Sequence, residues 1–285
     1  MIRRLMGLGV MVEPEAAQLL GKGDADKITE KIKKMRPMPL TVDAELAKKL
    51  VTDTSVKVLK KIQKMKSASV PDLVAAYNER YTTLQKIILK NPAFGRAVSI
   101  RSASGECCII GMASGGGKTI QDPSGEGEFI TAAKLLDGDV IGAIGTAEGG
   151  VFRASEIVFP GVQLKERGNT FGTFTVGRSA DCPIRPDATT FYDVNGRTVV
   201  TSDAELDKAA KQLNTTEKEA AVELLKRRRL MAAPRDYLEP QPDFLIFNAT
   251  ENFAENHKGA VIIGIKEGSK AEANLESGTV TFKQV

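Results

Sequence analysis

The chain has 285 residues, enough for two or three domains, and 42% of them are hydrophobic, so sizeable buried cores can form. Lysine and arginine total 40 against 36 acidic residues, which leaves a mild net charge of +4. No apolar run approaches the roughly 18–20 residues that span a bilayer, and the three cysteines form no C-x-x-C pair. Composition therefore excludes a transmembrane helix, a zinc ribbon and a disulfide framework.

The basic charge is concentrated near the start of the chain. Residues 1–95 carry 18 basic and 10 acidic side chains, whereas residues 96–162 carry 5 and 8. The first third could meet nucleic acid or an acidic partner, or it could be a set of helices with solvated lysine-rich faces. The first twelve residues lack a small-residue cleavage site, so we expect no signal peptide and a cytoplasmic protein.

Residues 1–52 predict a small N-terminal helical domain. Pro14 suits the first turn of one helix, and Asp24 and Asp43 are expected to cap two others. Residues 53–70 are rich in lysine and predict a basic linker, either mobile or an exposed helix.

A stronger helix is predicted within residues 71–97, where it leads into the next domain. It starts near Val70-Pro71-Asp72 and ends at Asn91-Pro92. Its apolar stripe has the spacing of one helix face, which must pack on another element: Leu73, Val74, Tyr77, Tyr81, Leu84, Ile87 and Ile88.

Residues 98–162 predict five strands bounded by turn residues, with no helical segment between them: 99–114, 116–124, 127–134, 139–149 and 151–160. Five short strands within about 65 residues indicate a small closed Greek-key barrel of the OB type. The sequence GMASGGGKT inside it resembles a phosphate-binding loop, but Met112 stands where that motif requires glycine. A strand follows instead of a helix, so we interpret it as a flexible connector.

Four basic residues of the barrel are candidate phosphate contacts: Arg101, Lys118, Lys134 and Arg153. Barrels that bind single strands combine a basic groove with stacking aromatic residues. Here the domain is net acidic and its aromatic residues are Phe129, Phe152 and Phe159. A structural or partner-docking barrel is favoured over a nucleic-acid-binding one.

Residues 163–285 predict a second lobe of α/β type. A loop over 163–188 leads to a hairpin on Asn195-Gly196, and Thr216 with Glu219 predicts a capping box for the next helix. Basic residues end that helix, where they either complement its dipole or contact a phosphate or a partner: Lys226, Arg227, Arg228 and Arg229. DFLIFNAT, KGAVIIGIKEG and SGTVTFKQV predict the closing strands.

In order, several segments resemble the small subunit of archaeal family-D DNA polymerase, related to the B-subunits of eukaryotic replicative polymerases. They are GLGVMVEPEAAQLL, DLVAAYNERYTTLQKIILKNPAFGRAVSI, the strands from ECCIIGM to IVFPGV, VNGRTVVTSDAELDKAA, EAAVELLKRRRL, PRDYLEPQPDFLIFNATENFAENHKGAVII and NLESGTVTF. The resemblance implies a multidomain α+β protein: a helical domain over 1–52, an OB-fold domain over 98–162 and a reduced, calcineurin-like phosphodiesterase domain over 163–285.

The metal ligands that this resemblance would require are missing. An active phosphodiesterase of that family binds two metals through several histidine and aspartate motifs, and this chain has one histidine, His257. Asn256-His257-Lys258 falls where the last motif, G-H-x-H, is expected. We therefore expect no catalytic residue, no bound metal and no other cofactor.

The resemblance implies a non-catalytic accessory subunit of a replicative DNA polymerase. Its expected partners are the large catalytic subunit, DNA through that complex and other replication factors, with no membrane contact. Two alternatives stay open: a stand-alone OB-fold protein that binds single-stranded nucleic acid, and, as the least favoured, a residual metal-dependent 3'-5' exonuclease.

Overall fold

A computed structural model describes residues 1–21, 23–35, 37–51, 54–62, 69–165, 170–230 and 236–285. Within these residues the protein is α+β, with seven α-helices and a closed five-stranded barrel. None of the described helices is long and apolar enough to cross a lipid bilayer.

The N-terminal segment folds into four short helices and one pair of parallel strands. The helices are α1 (Ile2–Met6), α2 (Pro14–Leu20), α3 (Ala25–Lys34) and α4 (Ala44–Val51), and the strands are β1 (Met11–Val12) and β2 (Thr41–Val42). The predicted caps are present. The Asp24 carboxylate accepts hydrogen bonds from two backbone amides of α3, and the Asp43 carboxylate accepts one from the backbone amide of Leu46. One apolar cluster, including Leu5, Leu20 and Ile32, joins these elements.

Residues 56–61 correct the predicted basic linker over 53–70. They form strand β3 (Val56–Lys61), which pairs with a strand more than 120 residues later in the chain. Lysine-rich composition suggested a solvated segment, but Val56 packs against a core that the sequence alone does not reveal. The end of this segment begins a helix, and residues 63–68 lie outside the described part.

Helix α5 (Val70–Ile88) connects that strand to the barrel. A capping box between Ser69 and Asp72 starts it at Val70, where the sequence predicts the start. Leu84 and Ile88 are buried against the barrel as predicted, and Tyr81 Oη donates to the Ile110 carbonyl oxygen at 3.0 Å. The apolar stripe is only partly buried, because its first half extends along an open groove.

The barrel contains the five predicted strands: β4 (Gly105–Ser114), β5 (Thr119–Asp122), β6 (Gly125–Ile130), β7 (Val140–Glu148) and β8 (Val151–Val158). Their order is β4-β5-β6-β8-β7, with β7 closing on β4 and with β6 and β8 parallel. This arrangement is compatible with an OB-type barrel.

Two local details refine the predicted barrel. The first strand starts at Gly105, because Ile100–Ser102 form a 3-10 turn where strand was expected. The glycines of GGGK form the tight connection from β4 to β5, and all three have positive φ values of 61°, 69° and 81°, which only glycine adopts without strain. The interpretation of that motif as a connector is consistent with this turn.

The remaining elements form the C-terminal lobe: β9 (Thr173–Gly177), β10 (Thr190–Val194), β11 (Arg197–Glu205), α6 (Leu206–Leu213), α7 (Glu217–Lys226), β12 (Phe244–Asn248), β13 (Phe253–His257), β14 (Ala260–Ile265), β15 (Ser269–Asn274) and β16 (Val280–Gln284). A six-stranded sheet has the order β13-β14-β12-β11-β10-β3, and a three-stranded sheet has the order β16-β15-β9.

The six-stranded sheet is the middle of three layers. Along β12, Leu245 and Phe247 face α6 and α7, while Phe244 and Ile246 face the three-stranded sheet. Both faces are covered, which explains why the strand is an uninterrupted apolar run.

The predicted hairpin and the Thr216 capping box are confirmed. The predicted loop over 163–188 is wrong at β9, and α6, β13 and β15 were not predicted.

Candidate functional site

Three strands of the central sheet, β11, β12 and β14, run parallel, so their carboxyl ends meet at one edge. In open α/β sheets, ligands bind at this edge. A phosphodiesterase lobe of the predicted kind would hold its metals at this edge. The side chains there show whether it carries the necessary ligands.

The carboxyl edge is closed by an amide and a guanidinium group. Asn248, the last residue of β12, donates from Nδ2 to the Pro186 carbonyl oxygen at 2.6 Å. Arg178 Nε donates to Asn248 Oδ1 at 3.0 Å, and Arg178 also pairs with Glu267 at 3.5 Å. An arginine beside an amide repels cations, and in the described residues no three histidine, cysteine or acidic side chains are grouped to hold a metal.

His257 lies at the opposite edge of the sheet, which corrects its expected position beside the metal motifs. It ends β13, and the hairpin turn at Lys258 and Gly259 leads into the amino end of β14. Burial lowers the pKa of the His257 imidazole, and the charges of Lys226 and Lys258 lower it further. Its side chain is half-buried.

The four candidate phosphate contacts of the barrel are exposed, but they do not form one patch. Lys118 and Arg153 flank the end of β6, because the Lys118 carbonyl oxygen accepts from the Phe129 amide and Arg153 pairs with Ile130. Arg101 lies at the other end of β6, where its amide donates to Ser124 Oγ at 3.2 Å. A six-residue strand spans roughly 17–20 Å, so these groups cannot bind one phosphate together.

The surroundings of two of these residues also disfavour nucleic acid. Arg101 shares a depression of about 220 Å³ with Glu126 and Glu128, whose carboxylates repel a phosphate backbone. Lys134 Nζ is directed at the Leu213 carbonyl oxygen, 3.5 Å away.

Two of the three aromatic side chains of the barrel are buried, and the third is half-buried with an arginine over its ring. Phe129 and Phe152 are buried and stack on each other in the barrel core with their ring centroids 5.9 Å apart. Phe159 is covered by the Arg227 guanidinium at 4.2 Å. The aromatic platform that single-strand binding requires is thus lacking on this domain.

The basic cluster after α7 lies at the junction between the barrel and the C-terminal lobe. Asp139, in the loop before β7, is fully buried and pairs with Arg227 and with Arg229, the latter at 3.2 Å. Arg227 Nη2 also donates to the Lys134 carbonyl oxygen at 3.0 Å, and Asp139 accepts from the Leu136 amide at 2.8 Å. These contacts make the two arginines an internal tie between the lobes.

Arg228 has a similar internal role. It is 4% exposed and donates from Nε to the Gly161 carbonyl oxygen at 2.7 Å, while Nη1 pairs with Glu239 at the same distance. Lys226 differs, because among the described residues its side chain pairs with Glu223 alone and is 39% exposed. Of the two alternatives left open for these four cations, contact with a phosphate or a partner stays a prediction, and the three arginines are engaged by groups of the folded chain itself.

Arg80 is a buried charge that the sequence analysis missed. It lies on the inner face of α5 and is 3% exposed, and Nε and Nη2 have no hydrogen-bond partner in the described residues. Burial lowers the pKa of its guanidinium to about 10, and Arg229 adds to the shift while Asp139 and Asp236 oppose it. Its position between Tyr77 and Leu84 in an apolar stripe was the available signal.

An open groove runs between α5 and the barrel. Its two adjoining cavities, of about 250 and 400 Å³, share Tyr81, Asp122 and Pro123. Val74 and Tyr77 border it and are 52% and 38% exposed, although the helical pattern predicted them to be buried. The groove accounts for the incomplete burial of the stripe.

Models of known protein families were compared with the chain and none matches, and a comparison with curated proteins finds no match either. The resemblance to polymerase small subunits therefore stays a prediction from the sequence.

Proposed function

We propose that this chain is a non-catalytic accessory subunit of a replicative DNA polymerase that scaffolds the large catalytic subunit and assists DNA binding. The order of its parts supports the proposal: a small helical domain, a connecting helix, a closed five-stranded barrel and a layered lobe with strands and helices. A polymerase small subunit of the resembled family has an OB-fold and a phosphodiesterase domain in the same order.

The carboxyl edge of the central sheet carries the argument against hydrolysis. Metal-assisted phosphoester hydrolysis needs carboxylates and imidazoles that converge on two cations. At this edge Asn248 and Arg178 are hydrogen-bonded to each other instead, and Arg178 adds a positive charge. The lobe retains its packed layers and its ionic tie to the barrel, which favours a scaffold over a hydrolase.

A tagged pull-down from the native lysate, with the bound chains identified by mass spectrometry, tests the proposal. We expect a large polymerase chain in roughly equal amount, still bound after nuclease treatment, because the contact is between proteins. A tag-only column is the control. Recovery of nucleic acid alone, released by salt, would overturn the proposal in favour of a stand-alone nucleic-acid-binding barrel.

The recovered complex also tests the DNA contacts. Reversal of Lys118 and Arg153 to glutamate should weaken DNA binding by the complex and reduce its salt dependence, because each removes one phosphate contact. Reversal of Lys86 and Lys90, which are exposed at the end of α5, is the charge-matched control. Equal affinity for both doubly substituted complexes would exclude these two barrel residues as contacts.

A further inference from the structure

Strand β3 forms one edge of the six-stranded sheet, and it is unusually exposed for a strand with apolar side chains. It pairs with β10 on one side, and no other strand of the described residues pairs with it on the other. Val58 is 63% exposed and Leu59 is 57% exposed. Such an edge presents free backbone N–H and C=O groups next to uncovered apolar surface.

The strand is firmly held on its inner side. The Ile62 backbone amide donates to the Thr189 carbonyl oxygen at 2.9 Å. The Asn195 backbone amide donates to the Ser55 carbonyl oxygen at 3.2 Å. Val56 packs against the core between the two sheets. β3 is therefore already ordered, and a pairing segment would not need to order it first.

The charges on β3 select the kind of segment that can pair with it. Lys57, Lys60 and Lys61 are exposed, and none of them forms a side-chain ion pair among the described residues, although Asp193 of β10 lies directly across from Lys57. Lys60 lies over the Tyr237 ring at 5.7 Å. A second copy of β3 would bring lysines against lysines, so these charges disfavour self-pairing and favour an acidic partner.

We propose that β3 is a docking site for an extended acidic segment of a partner protein, which adds to the sheet as a further strand. Backbone hydrogen bonds to the free edge give affinity, Val58 and Leu59 contact apolar side chains of the segment, and the lysines bind its carboxylates. The irregular pairing at Leu59, where β3 has one residue more than β10, limits the segment to a short one. This inference deepens the proposed function, on which it rests for the identity of the partner.

The test uses the full chain and a labelled eight-residue peptide that alternates valine with glutamate. We expect saturable binding by fluorescence anisotropy and, on binding, slower hydrogen exchange of the backbone amides of residues 57–61. The double substitution Lys57→Glu/Lys61→Glu should weaken binding about tenfold, because two attractive charges become repulsive. Lys86→Glu/Lys90→Glu is the matched control and should stay within about twofold of the wild type.

Two further peptides separate strand addition from simple charge attraction. A peptide with the same glutamates but with proline in place of valine cannot pair and should not bind, and a peptide that alternates valine with lysine should be repelled. Equal binding of the proline peptide, or no binding of the first peptide at 1 mM, roughly the weak limit for a specific contact, would overturn the docking site.

The outcome is independent of the pull-down. If the peptide fails while a polymerase chain is recovered, this inference is wrong and the proposed function stands. If the peptide binds at β3 while no polymerase chain is recovered, the docking site on β3 stands and the proposed function is wrong.

Discussion

Two basic clusters of this protein are similar in sequence and opposite in structure. The lysines of β3 are exposed and form no ion pair among the described residues, whereas Arg227 is buried and Arg229 is 13% exposed, and both pair with Asp139, which lies 88 residues from Arg227 in the chain. The difference arises from a single carboxylate brought in by the tertiary fold and from the planar guanidinium group, which can bind that carboxylate and a carbonyl oxygen together. A run of cations in a sequence therefore does not by itself indicate a binding surface.

The largest expected effect is that of Asp139→Ala. It leaves the buried guanidinium of Arg227 and the mostly buried one of Arg229 without their carboxylate, so we expect the free energy of unfolding to fall by about 3–5 kcal/mol. Urea denaturation of the full chain measures this change. Asp207→Ala, which removes an exposed pair with Lys211, is the control and should change stability by less than about 0.5 kcal/mol. Equal effects of the two substitutions would mean that the junction is not buried in solution.

Arg227→Lys tests whether the junction depends on guanidinium geometry. Lysine keeps the charge but cannot reach Asp139 and the Lys134 carbonyl oxygen together, and it loses the stacking on Phe159. We expect a loss of about 1.5–3 kcal/mol by the same denaturation experiment. Wild-type stability would show that charge alone is sufficient.

A smaller effect is expected at the start of α7, the helix that carries Arg227 to the junction. Thr216→Ala removes the cap and should cost about 1 kcal/mol, whereas Thr216→Ser keeps it and should cost little. Hydrogen bonds from Thr215 and Thr216 lower the pKa of Glu219 below its usual 4.5. This contribution is present above the unfolded pKa and is lost as the pH falls through the folded pKa, so the deficit of Thr216→Ala should shrink in acid.

The smallest effect is expected at the other cluster. Lys57→Ala/Lys61→Ala removes two exposed charges that form no ion pair among the described residues, and the unfolding free energy should stay within about 0.5 kcal/mol of the wild type. Thermal unfolding measures it. A loss comparable to that of Arg227→Lys would mean that the lysines stabilise the fold, and the contrast between the two clusters would disappear.

Local signals predicted the elements that depend on neighbouring residues. Asn195 and Gly196 adopt φ values of 52° and 83°, as a tight hairpin turn requires, and the Thr216 capping box forms as expected. The five barrel strands were found because turn residues separate them. In contrast, β3 and β9 pair with strands far away in the chain, and their own composition suggests linker and loop.

The residues at the carboxyl edge could not be predicted to meet. Arg178 and Asn248 are 70 residues apart and carry no joint signal in the sequence, whereas the expectation of a missing metal set rests on composition, the chain having a single histidine. Asp139 and the arginines after α7 are likewise far apart in the chain, and nothing in the sequence indicates that they meet.

The sequence by itself determined the turns, the caps, the barrel strands and the shortage of metal-binding side chains, because each depends on residue type and short spacing. Only the tertiary structure decided which charges are buried, which strand is left at the sheet edge and where His257 lies. Burial and pairing depend on contacts between residues distant in the chain, and the free energy of a charge is set by the groups that fold around it.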